Sequence, residues 1–177
     1  MPLKLGKAIR SEGAKNVTEL DWWDEMEWNG FRIVCTPAHH WSKRTLFSKN
    51  TTLWSGWLIE KEGKKVWFSG DTGFGDGTIF KDLQLREQEI DLALIPIGAY
   101  LPRDFMLRQH VDPSQAVRIH QMVRAKRSIA HHWGNFVLSF EEVEEPPAEL
   151  RRVLDSLEID PSLFRAMQHG EIAPMGW

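Results

Sequence analysis

The amino-acid sequence predicts an α/β (α+β) fold in which a mixed β-sheet carries helices on one face. In the first part of the chain, strand-like segments alternate with turn signals, the clearest being Asn29-Gly30 between Glu25–Trp28 and Phe31–Thr36. From residue 78 onward, helix-like segments alternate with apolar runs such as residues 91–97. Hairpins followed by strand–helix alternation are typical of a mixed sheet.

The remaining elements of the first part follow from local patterns. Residues 5–12 suit a short helix that ends at Gly13, and residues 17–20 suit a strand. A second hairpin is predicted around Glu62-Gly63, between strands at residues 51–60 and 65–69.

The second part contains three predicted helices and three predicted strands. A weak helical pattern covers residues 78–88, and residues 91–97 form a continuous apolar run expected of a buried strand. Asp112 can cap a helix that has Pro113 at its first position, and Gln115 can complete a capping box. After it come a predicted strand, a helix and a closing strand at residues 127–131, 147–157 and 163–167.

Composition indicates one ordinary globular domain over residues 1–177. Apolar residues make up 42% and charged residues 27% of the chain, and the formal charge of −3 argues against a nucleic-acid partner. No apolar run approaches the roughly 20 residues that a transmembrane helix needs. The expected location is the cytoplasm, with peripheral association at a membrane as the alternative. The single cysteine, Cys35, lies in an apolar strand and is expected to be a buried thiol.

Metal-capable side chains follow three of the predicted strands. Asp71 lies between glycines in Ser69-Gly70-Asp71-Thr72-Gly73, and a carboxylate there can bridge two cations or simply cap a turn. His40 and His132 each follow a strand, where a neutral imidazole is a common zinc ligand. Each is preceded by another histidine, His39 or His131, and strand alternation makes the two members of a pair alternatives rather than joint ligands. Spacing alone does not choose between them.

Six strings together resemble the metallo-β-lactamase superfamily, and more narrowly the N-acyl-phosphatidylethanolamine-hydrolysing phospholipase D group. They occur in the order of the family over nearly the whole chain. The strings are Glu19-Leu20-Asp21-Trp22-Trp23, Thr36-Pro37-Ala38-His39-His40-Trp41-Ser42-Lys43-Arg44-Thr45, Phe68-Ser69-Gly70-Asp71-Thr72-Gly73, Ile95-Pro96-Ile97-Gly98-Ala99-Tyr100, Gln109-His110-Val111-Asp112-Pro113 and His132-Trp133-Gly134.

The resemblance implies a dinuclear zinc site and assigns residues to it. His40 matches the single histidine on the first zinc, Asp71 the bridging aspartate and His132 the last histidine on the second zinc. Asp71 and His110 are thereby implied as catalytic residues, His110 because it matches a position that lines the active site, although a hydrogen bond at a helix entry is an equal alternative. His39 and His131 become supporting or packing residues.

Three basic residues are candidates for contact with a substrate phosphate, since guanidinium and ammonium groups complement phosphate oxygens. They are Arg44, Arg103 and Lys43, and for Lys43 an ordinary solvated charge is the preferred interpretation. His120, on the helix predicted after Asp112, is expected to be a core histidine, with a supporting role near the site as the alternative.

The family's strongest signature, a His-x-His-x-Asp-His string, does not occur in this sequence. The remaining implied ligands are His40, Asp71 and His132, and because Asp71 is shared they give each zinc only two protein ligands. Zinc sites usually have three or four. We therefore expect the chain to be the C-terminal half of a metallo-β-lactamase-like fold, with one sheet face left bare. A separate N-terminal half or self-association is expected to cover that face.

Together these observations predict a zinc-dependent phosphodiester hydrolase, of phospholipase D type, acting on N-acyl-phosphatidylethanolamine-like phospholipids or related phosphodiesters. The chain alone would supply only half of its site. Two alternatives remain: a non-catalytic half-domain that acts as an interaction module, and one subunit of a split hydrolase.

Overall fold

A computed structural model of the chain describes residues 1–172. In this part, seven strands form one sheet in the order of the sequence, antiparallel from the first to the fourth strand and parallel from the fourth to the seventh. The strands are β1 (Glu25–Trp28), β2 (Phe31–Thr36), β3 (Gly56–Lys61), β4 (Lys64–Phe68), β5 (Ile90–Pro96), β6 (Ala125–His131) and β7 (Phe164–Arg165).

Helices cross between successive parallel strands, which explains why they lie on one face. The strand order advances one place at a time in one direction, and right-handed crossovers then put every connecting helix on the same side. The α/β architecture with helices on one face is confirmed. The described helices are α1 (Gly6–Ser11), α2 (Thr78–Glu87), α3 (Arg103–Met106), α4 (Pro113–Met122) and α5 (Glu145–Ser156), of which α4 packs against both α2 and α5. Among residues 1–172, none of these helices has the length and apolar character to cross a bilayer.

The core lies between the sheet and these helices. One row of paired residues crosses six strands and is buried throughout, and it consists of Val34, Leu58, Trp67, Ala93, Ser128 and Phe164. Side chains of α2, α4 and α5 close over this row, among them Phe80, Ile119 and Leu150. Removal of this apolar surface from water is the main contribution that holds the layers together.

The opposite face of the sheet is also apolar but is more open. Its central row pairs Trp57, Phe68, Leu94 and Ile129 across β3 to β6. Ile59 and Phe68 remain 41% and 40% exposed. Cys35, at one side of this face, is buried as expected.

Most element boundaries agree with the sequence expectations, and the differences have local causes. The Asn29-Gly30 and Glu62-Gly63 turns both have the positive φ angles that favour tight hairpins. The strand expected at residues 51–60 starts only at Gly56, because the indole of Trp54 donates to the carbonyl of Ala38 and holds residues 51–55 as a loop. Residues 17–20 form only a single bridge, from Leu20 to Pro2, and the closing strand is reduced to Phe164–Arg165.

An ion-pair network joins α2 to the antiparallel strands. The guanidinium of Arg32 on β2 donates to both carboxylate oxygens of Glu87, at 3.0 and 2.9 Å, and also to Glu25 and Glu60. Burial raises the pKa of Glu87, but the hydrogen bonds and charge of Arg32, with the charge of Lys65, outweigh it and hold that pKa below its ordinary value of 4.5. The carboxylate is therefore anionic in the folded chain.

We expect Glu87→Gln to lower the free energy of unfolding by about 3 kcal/mol at pH 7, because Arg32 loses its buried partner. A depressed pKa stabilises the fold above the unfolded value and loses that contribution as pH falls through the folded pKa. The difference in the free energy of unfolding between wild type and variant should therefore shrink below about pH 4.5.

Urea denaturation from pH 7 to pH 3 measures this difference. Glu89→Gln, at an exposed pair with Lys126, is the matched control. A difference that stays constant with pH contradicts this account.

Candidate active site

A cleft of about 710 Å³ opens at the edge of the sheet where the parallel strands end. The carboxyl ends of parallel strands meet at one edge, so residues just after β4, β5 and β6 are brought together there. The cleft is lined by His40, Trp41, Lys49, Asn50, Asp71, Ala99, Phe105, Met106, Arg108, Gln109, His110, His132 and Leu138.

Close backbone approaches place the two central residues. Gly70, which precedes Asp71, has a φ of +66°, and a Cβ there would lie only 2.7 Å from the carbonyl oxygen of Ser55. A Cβ on Gly98 would lie 2.1 Å from the carbonyl oxygen of His132. Glycine is therefore required at both positions for the strand-end turns to come this close.

Three imidazole rings gather around the Asp71 carboxylate. Nε2 of His132 lies 3.2 Å from Oδ2 of Asp71. The ring of His110 lies between the other two, with centroids 5.2 Å from His40 and 5.1 Å from His132. His40 stacks on Trp41, and its Nδ1 lies 3.0 Å from the Trp41 carbonyl oxygen, which fixes the ring orientation.

The charges of these groups depend on one another. Burial raises the pKa of Asp71, but the hydrogen bond to His132 and the nearby imidazoles outweigh it, so the pKa is lowered from 3.8. The hydrogen bond to Asp71 raises the pKa of His132. Burial, followed by repulsion from His132 and His40, lowers the pKa of His110 to about 4. Near neutral pH, Asp71 is therefore an anion and His110 a neutral imidazole.

The structure separates the members of each histidine pair. His131 packs on Phe68 with a centroid distance of 4.8 Å, and its Nε2 lies 3.4 Å from Oγ of Ser69. The His39 ring lies against the backbone at Gly75, where a Cβ would be 2.5 Å from Nε2. His40 and His132 are the members that line the cleft.

The two arginines predicted to contact phosphate lie outside the cleft lining. Arg103 donates to the carbonyl of His110, to the side chain of Gln115, and pairs with Asp112. The side-chain oxygen of Gln115 therefore accepts a hydrogen bond from Arg103. Asp112 caps α4, as expected. Arg44 is exposed in the loop after His40.

His120 and the tryptophans that follow the strand-end histidines differ in where they pack. His120 is buried in the core, with Nδ1 2.8 Å from Oγ of Ser128, as its preferred interpretation predicted. Of the tryptophans that follow the strand-end histidines, Trp41 lines the cleft, whereas Trp133 packs against the core.

Three charged residues at the site were missed from the sequence. Lys49 and Arg108 line the cleft, but each is a single basic residue in a loop and has no distinguishing pattern. Glu141 accepts hydrogen bonds from the backbone N–H groups of Ala99, Tyr100 and Leu101, and so holds the cleft wall after β5. It reaches this loop from some 40 residues further along the chain, which no local motif could indicate.

A second cavity of about 650 Å³ lies between α5 and the β7 edge of the sheet. The described residues that line it include arginines and apolar side chains but no His, Cys, Asp or Glu. Metal-capable side chains therefore line the strand-end cleft and not this second cavity.

The donor groups in the cleft, imidazole nitrogens and a carboxylate, fit a divalent metal in kind. In this structure Nε2 of His132 and Oδ2 of Asp71 contact each other directly, at 3.2 Å. Nδ1 of His110 and Nδ1 of His132 are buried without a hydrogen-bond partner among the described residues. The number falls short, however, because within residues 1–172 no three His, Cys, Asp or Glu side chains are arranged to hold a metal. No reaction step is therefore derived through a metal from this chain alone.

Comparison with known families accounts for this arrangement. A profile described as the beta-lactamase superfamily domain matches residues 3–133. The chain belongs to the metallo-β-lactamase superfamily. The matched range includes His40, Asp71, His110 and His132, so it covers the whole predicted constellation.

Two curated members of the superfamily carry the name of the predicted group. The chain is 40% identical to N-acyl-phosphatidylethanolamine-hydrolyzing phospholipase D 1 of Caenorhabditis elegans, over 97% of this chain and 51% of that protein. It is 33% identical to a mitochondrial protein of the same name from Saccharomyces cerevisiae, over 88% of this chain and 34% of that protein. The chain thus spans about half or less of these relatives.

Solved structures support the fold. Igni18, a metallo hydrolase from the archaeon Ignicoccus hospitalis, superposes with a TM-score of 0.68 at 22% identity, over 94% of this chain and 64% of that one. An isothiocyanate hydrolase from Delia radicum gut bacteria gives 0.69 at 21% identity, over 97% and 64%. At these identities the likeness establishes the metallo-β-lactamase fold alone.

We expect His132→Gln and Asp71→Asn each to weaken zinc binding by at least about tenfold, because a donor is lost from the cleft. Isothermal titration measures the affinity of the metal-stripped chain combined with a polypeptide that carries a His-x-His-x-Asp-His string, and circular dichroism confirms folding. His131→Gln and His39→Gln are the matched controls and should leave the affinity unchanged. If these controls weaken binding as much as His132→Gln does, the assignment is wrong.

Proposed function

We propose that this chain forms part of a zinc-dependent phosphodiester hydrolase, of phospholipase D type, that acts on N-acyl-phosphatidylethanolamine-like phospholipids. The observation that carries the proposal is the convergence of His40, Asp71 and His132 in one cleft of a metallo-β-lactamase fold. The 40% identity to a relative named for that reaction supports the substrate class.

Each cleft residue has a proposed role. Zinc would be held by His40 and Asp71 on one side, and by Asp71 and His132 on the other. A zinc ion so bound supplies Lewis acidity and lowers the pKa of water. His110, neutral near pH 7, would orient the ligand or hold a proton near the leaving group.

Basic residues at the cleft have two distinct roles in this proposal. Lys49 and Arg108 line the cleft and would offset the charge of the phosphate. Arg103 would act indirectly, since its guanidinium holds the carbonyl of His110. Arg44 stays a candidate for a headgroup contact.

The remaining zinc ligands would come from outside this chain. Two protein donors for each ion fall short of the three or four that zinc sites use. We therefore propose that residues 1–177 form the C-terminal half of the family fold, completed by a separate N-terminal half. In the two similar hydrolase structures, the part that superposes on this chain makes up 64% of the whole, so about a third of each of those chains lies outside it.

A non-catalytic role is the second candidate. It is favoured by the incomplete donor set in the described residues and by the apolar sheet face, which together suit an interaction module. Activity measurements on the completed site decide between the two.

The test measures zinc-dependent hydrolysis of N-acyl-phosphatidylethanolamine, with the chain alone and with an added polypeptide carrying a His-x-His-x-Asp-His string. We expect turnover only in the combined sample, and a loss of at least about a hundredfold with Asp71→Asn. Lys81→Gln on α2 is the control and should keep full activity. Two bound zinc ions and turnover in the chain alone would contradict the ligand count, and an inactive combined sample that binds no zinc would contradict the hydrolase proposal.

We also propose that the open sheet face associates with a second polypeptide, or with itself when none is present. Replacement of both Ile59 and Phe68 by lysine should shift the isolated chain toward the monomer, because each lysine charge would be buried in the contact between chains. Sedimentation velocity measures the change. The exposed Leu85 and Leu157, changed to lysine in the same way, are the controls. A wild-type chain that is monomeric at every concentration contradicts this proposal.

A further inference from the structure

Thr72 directly follows Asp71 and is only 1% exposed, although its side chain carries a hydroxyl. Its Oγ1 accepts a hydrogen bond from the backbone N–H of His39 and donates one to the carbonyl of Gly73, both at 2.9 Å. The donor and the acceptor of this buried hydroxyl are therefore both used by backbone groups. Thr72 is not among the residues that line the cleft, so it contributes to the site through these neighbours.

Thr72 and Gly73 together bind the segment that leads into His40. The N–H of Gly73 donates to the carbonyl of His39 at 2.8 Å, which closes an antiparallel bridge between the two segments. With the hydroxyl contact, the N–H and the carbonyl of His39 are both bonded to Thr72 or Gly73. Because His40 is the next residue, the position of its ring depends on this bridge.

The same two residues also hold the segment that carries His110. The carbonyl of Thr72 accepts a hydrogen bond from the N–H of Val111 at 3.0 Å. A Cβ on Gly73 would lie 2.6 Å from the carbonyl oxygen of Arg108, so the two backbones touch there. His110 lies between Arg108 and Val111 and is thus held from both sides.

His132 is held by a different set of contacts. The N–H of Ile97 donates to the carbonyl of His131 at 3.0 Å, and Gly98 packs on the carbonyl of His132. These contacts join the ends of β5 and β6. The candidate site therefore consists of two parts held by different hydrogen bonds, and the parts meet where Nε2 of His132 lies 3.2 Å from Asp71.

We propose that Thr72 is a positioning residue, whose hydroxyl keeps the segment of His40 in place beside Asp71. Removal of the hydroxyl leaves the half-buried backbone N–H that it binds without a partner, which is unfavourable. The His40 segment then separates more often from Asp71 and His110, while His132 keeps its place. Since a displacement of about 1 Å can cost about a hundredfold in rate, the hydroxyl affects the chemistry without touching the substrate.

This inference rests on the proposed function only for the use that the positioned side chains have. Their relative positions require no metal and no turnover. Amide hydrogen exchange reports local opening of a folded chain. Exchange of the full chain in EDTA therefore tests the inference separately from the hydrolase proposal.

The experiment compares Thr72→Val, which keeps the side-chain shape, with Thr72→Ser, which keeps the hydroxyl. We expect Thr72→Val to lower the protection of the Gly73 N–H by about tenfold or more relative to that of the Ile97 N–H, because the His39 carbonyl moves away. Thr72→Ser should have the protection of the wild type. Exchange followed residue by residue with NMR measures both amides.

Ring contacts give a second measurement on the same samples. The His110 ring lies 5.2 Å from His40 and 5.1 Å from His132, measured between centroids. In Thr72→Val, the nuclear Overhauser effect between the rings of His40 and His110 should weaken. The effect between His110 and His132 should not change, because the other part of the site is intact.

Thr36→Val is the matched control for loss of a buried hydroxyl. Thr36 is also 1% exposed, and its Oγ1 accepts a hydrogen bond from the indole N–H of Trp67 at 3.0 Å. This bond belongs to the core and not to the segments around Thr72. We expect Thr36→Val to change the protection of the Gly73 and Ile97 amides by the same factor.

Turnover of the sample combined with the His-x-His-x-Asp-His polypeptide links the positions to the proposed reaction. Thr72→Val should lower kcat by at least about tenfold and leave KM nearly unchanged, and Thr72→Ser should recover the loss. A wild-type combined sample that is inactive, but whose chain shows the expected exchange pattern, would count against the hydrolase proposal only.

The wild-type chain also tests the proposal if Thr72→Val does not fold. Its Gly73 and Val111 amides should open with one dependence on denaturant, distinct from that of the Ile97 amide, because both belong to the part held by Thr72. Separate dependences for Gly73 and Val111 would overturn the proposal. Equal losses of protection at Gly73 and Ile97 in Thr72→Val, or a Thr72→Ser chain that behaves like Thr72→Val, would do the same.

Discussion

The parallel half of the sheet determines on which face the helices pack and at which edge the candidate site residues meet. Because β4 to β7 follow one another in one direction, right-handed crossovers put α2, α4 and α5 on a single face. The same order brings the carboxyl ends of β4, β5 and β6 to one edge. Asp71 and His132, from strands separated by β5, consequently lie 3.2 Å apart.

The same arrangement leaves the sheet face opposite the helices uncovered by any described helix. This face is broad and apolar, and Ile59 and Phe68 on it are 41% and 40% exposed. Its chemistry suits contact with another protein layer.

Much of the fold could be predicted from local signals. The hairpin at Asn29-Gly30 and the cap at Asp112 depend on neighbouring residues, and both form as expected. Residues 51–55 could not be assigned correctly, because the Trp54 hydrogen bond that holds them as a loop reaches across the chain to Ala38. Because neighbouring residues of a strand point to opposite faces, only one histidine of each adjacent pair could be a candidate ligand. Only the tertiary structure shows that His40 and His132 are the members that face the cleft.

Residues that act on the site through other residues were beyond sequence reasoning. Glu141 holds the loop after β5, and Arg103 holds the carbonyl of His110, where a phosphate contact had been expected. Both depend on distances between segments that no local pattern contains. Residue types at strand ends were enough to predict a metal-dependent chemistry, whereas the supporting contacts required the three-dimensional structure.

The central claim is that His40, Asp71 and His132 form part of a metal centre. A crystal structure of the chain grown with zinc and combined with a polypeptide carrying the His-x-His-x-Asp-His string would test it directly through anomalous scattering. The account predicts two zinc peaks in the cleft, both within about 2.0–2.2 Å of Asp71 oxygens, one beside His40 and one beside Nε2 of His132. Zinc bound at His39 or His131, or a cleft without zinc in that complex, would contradict it.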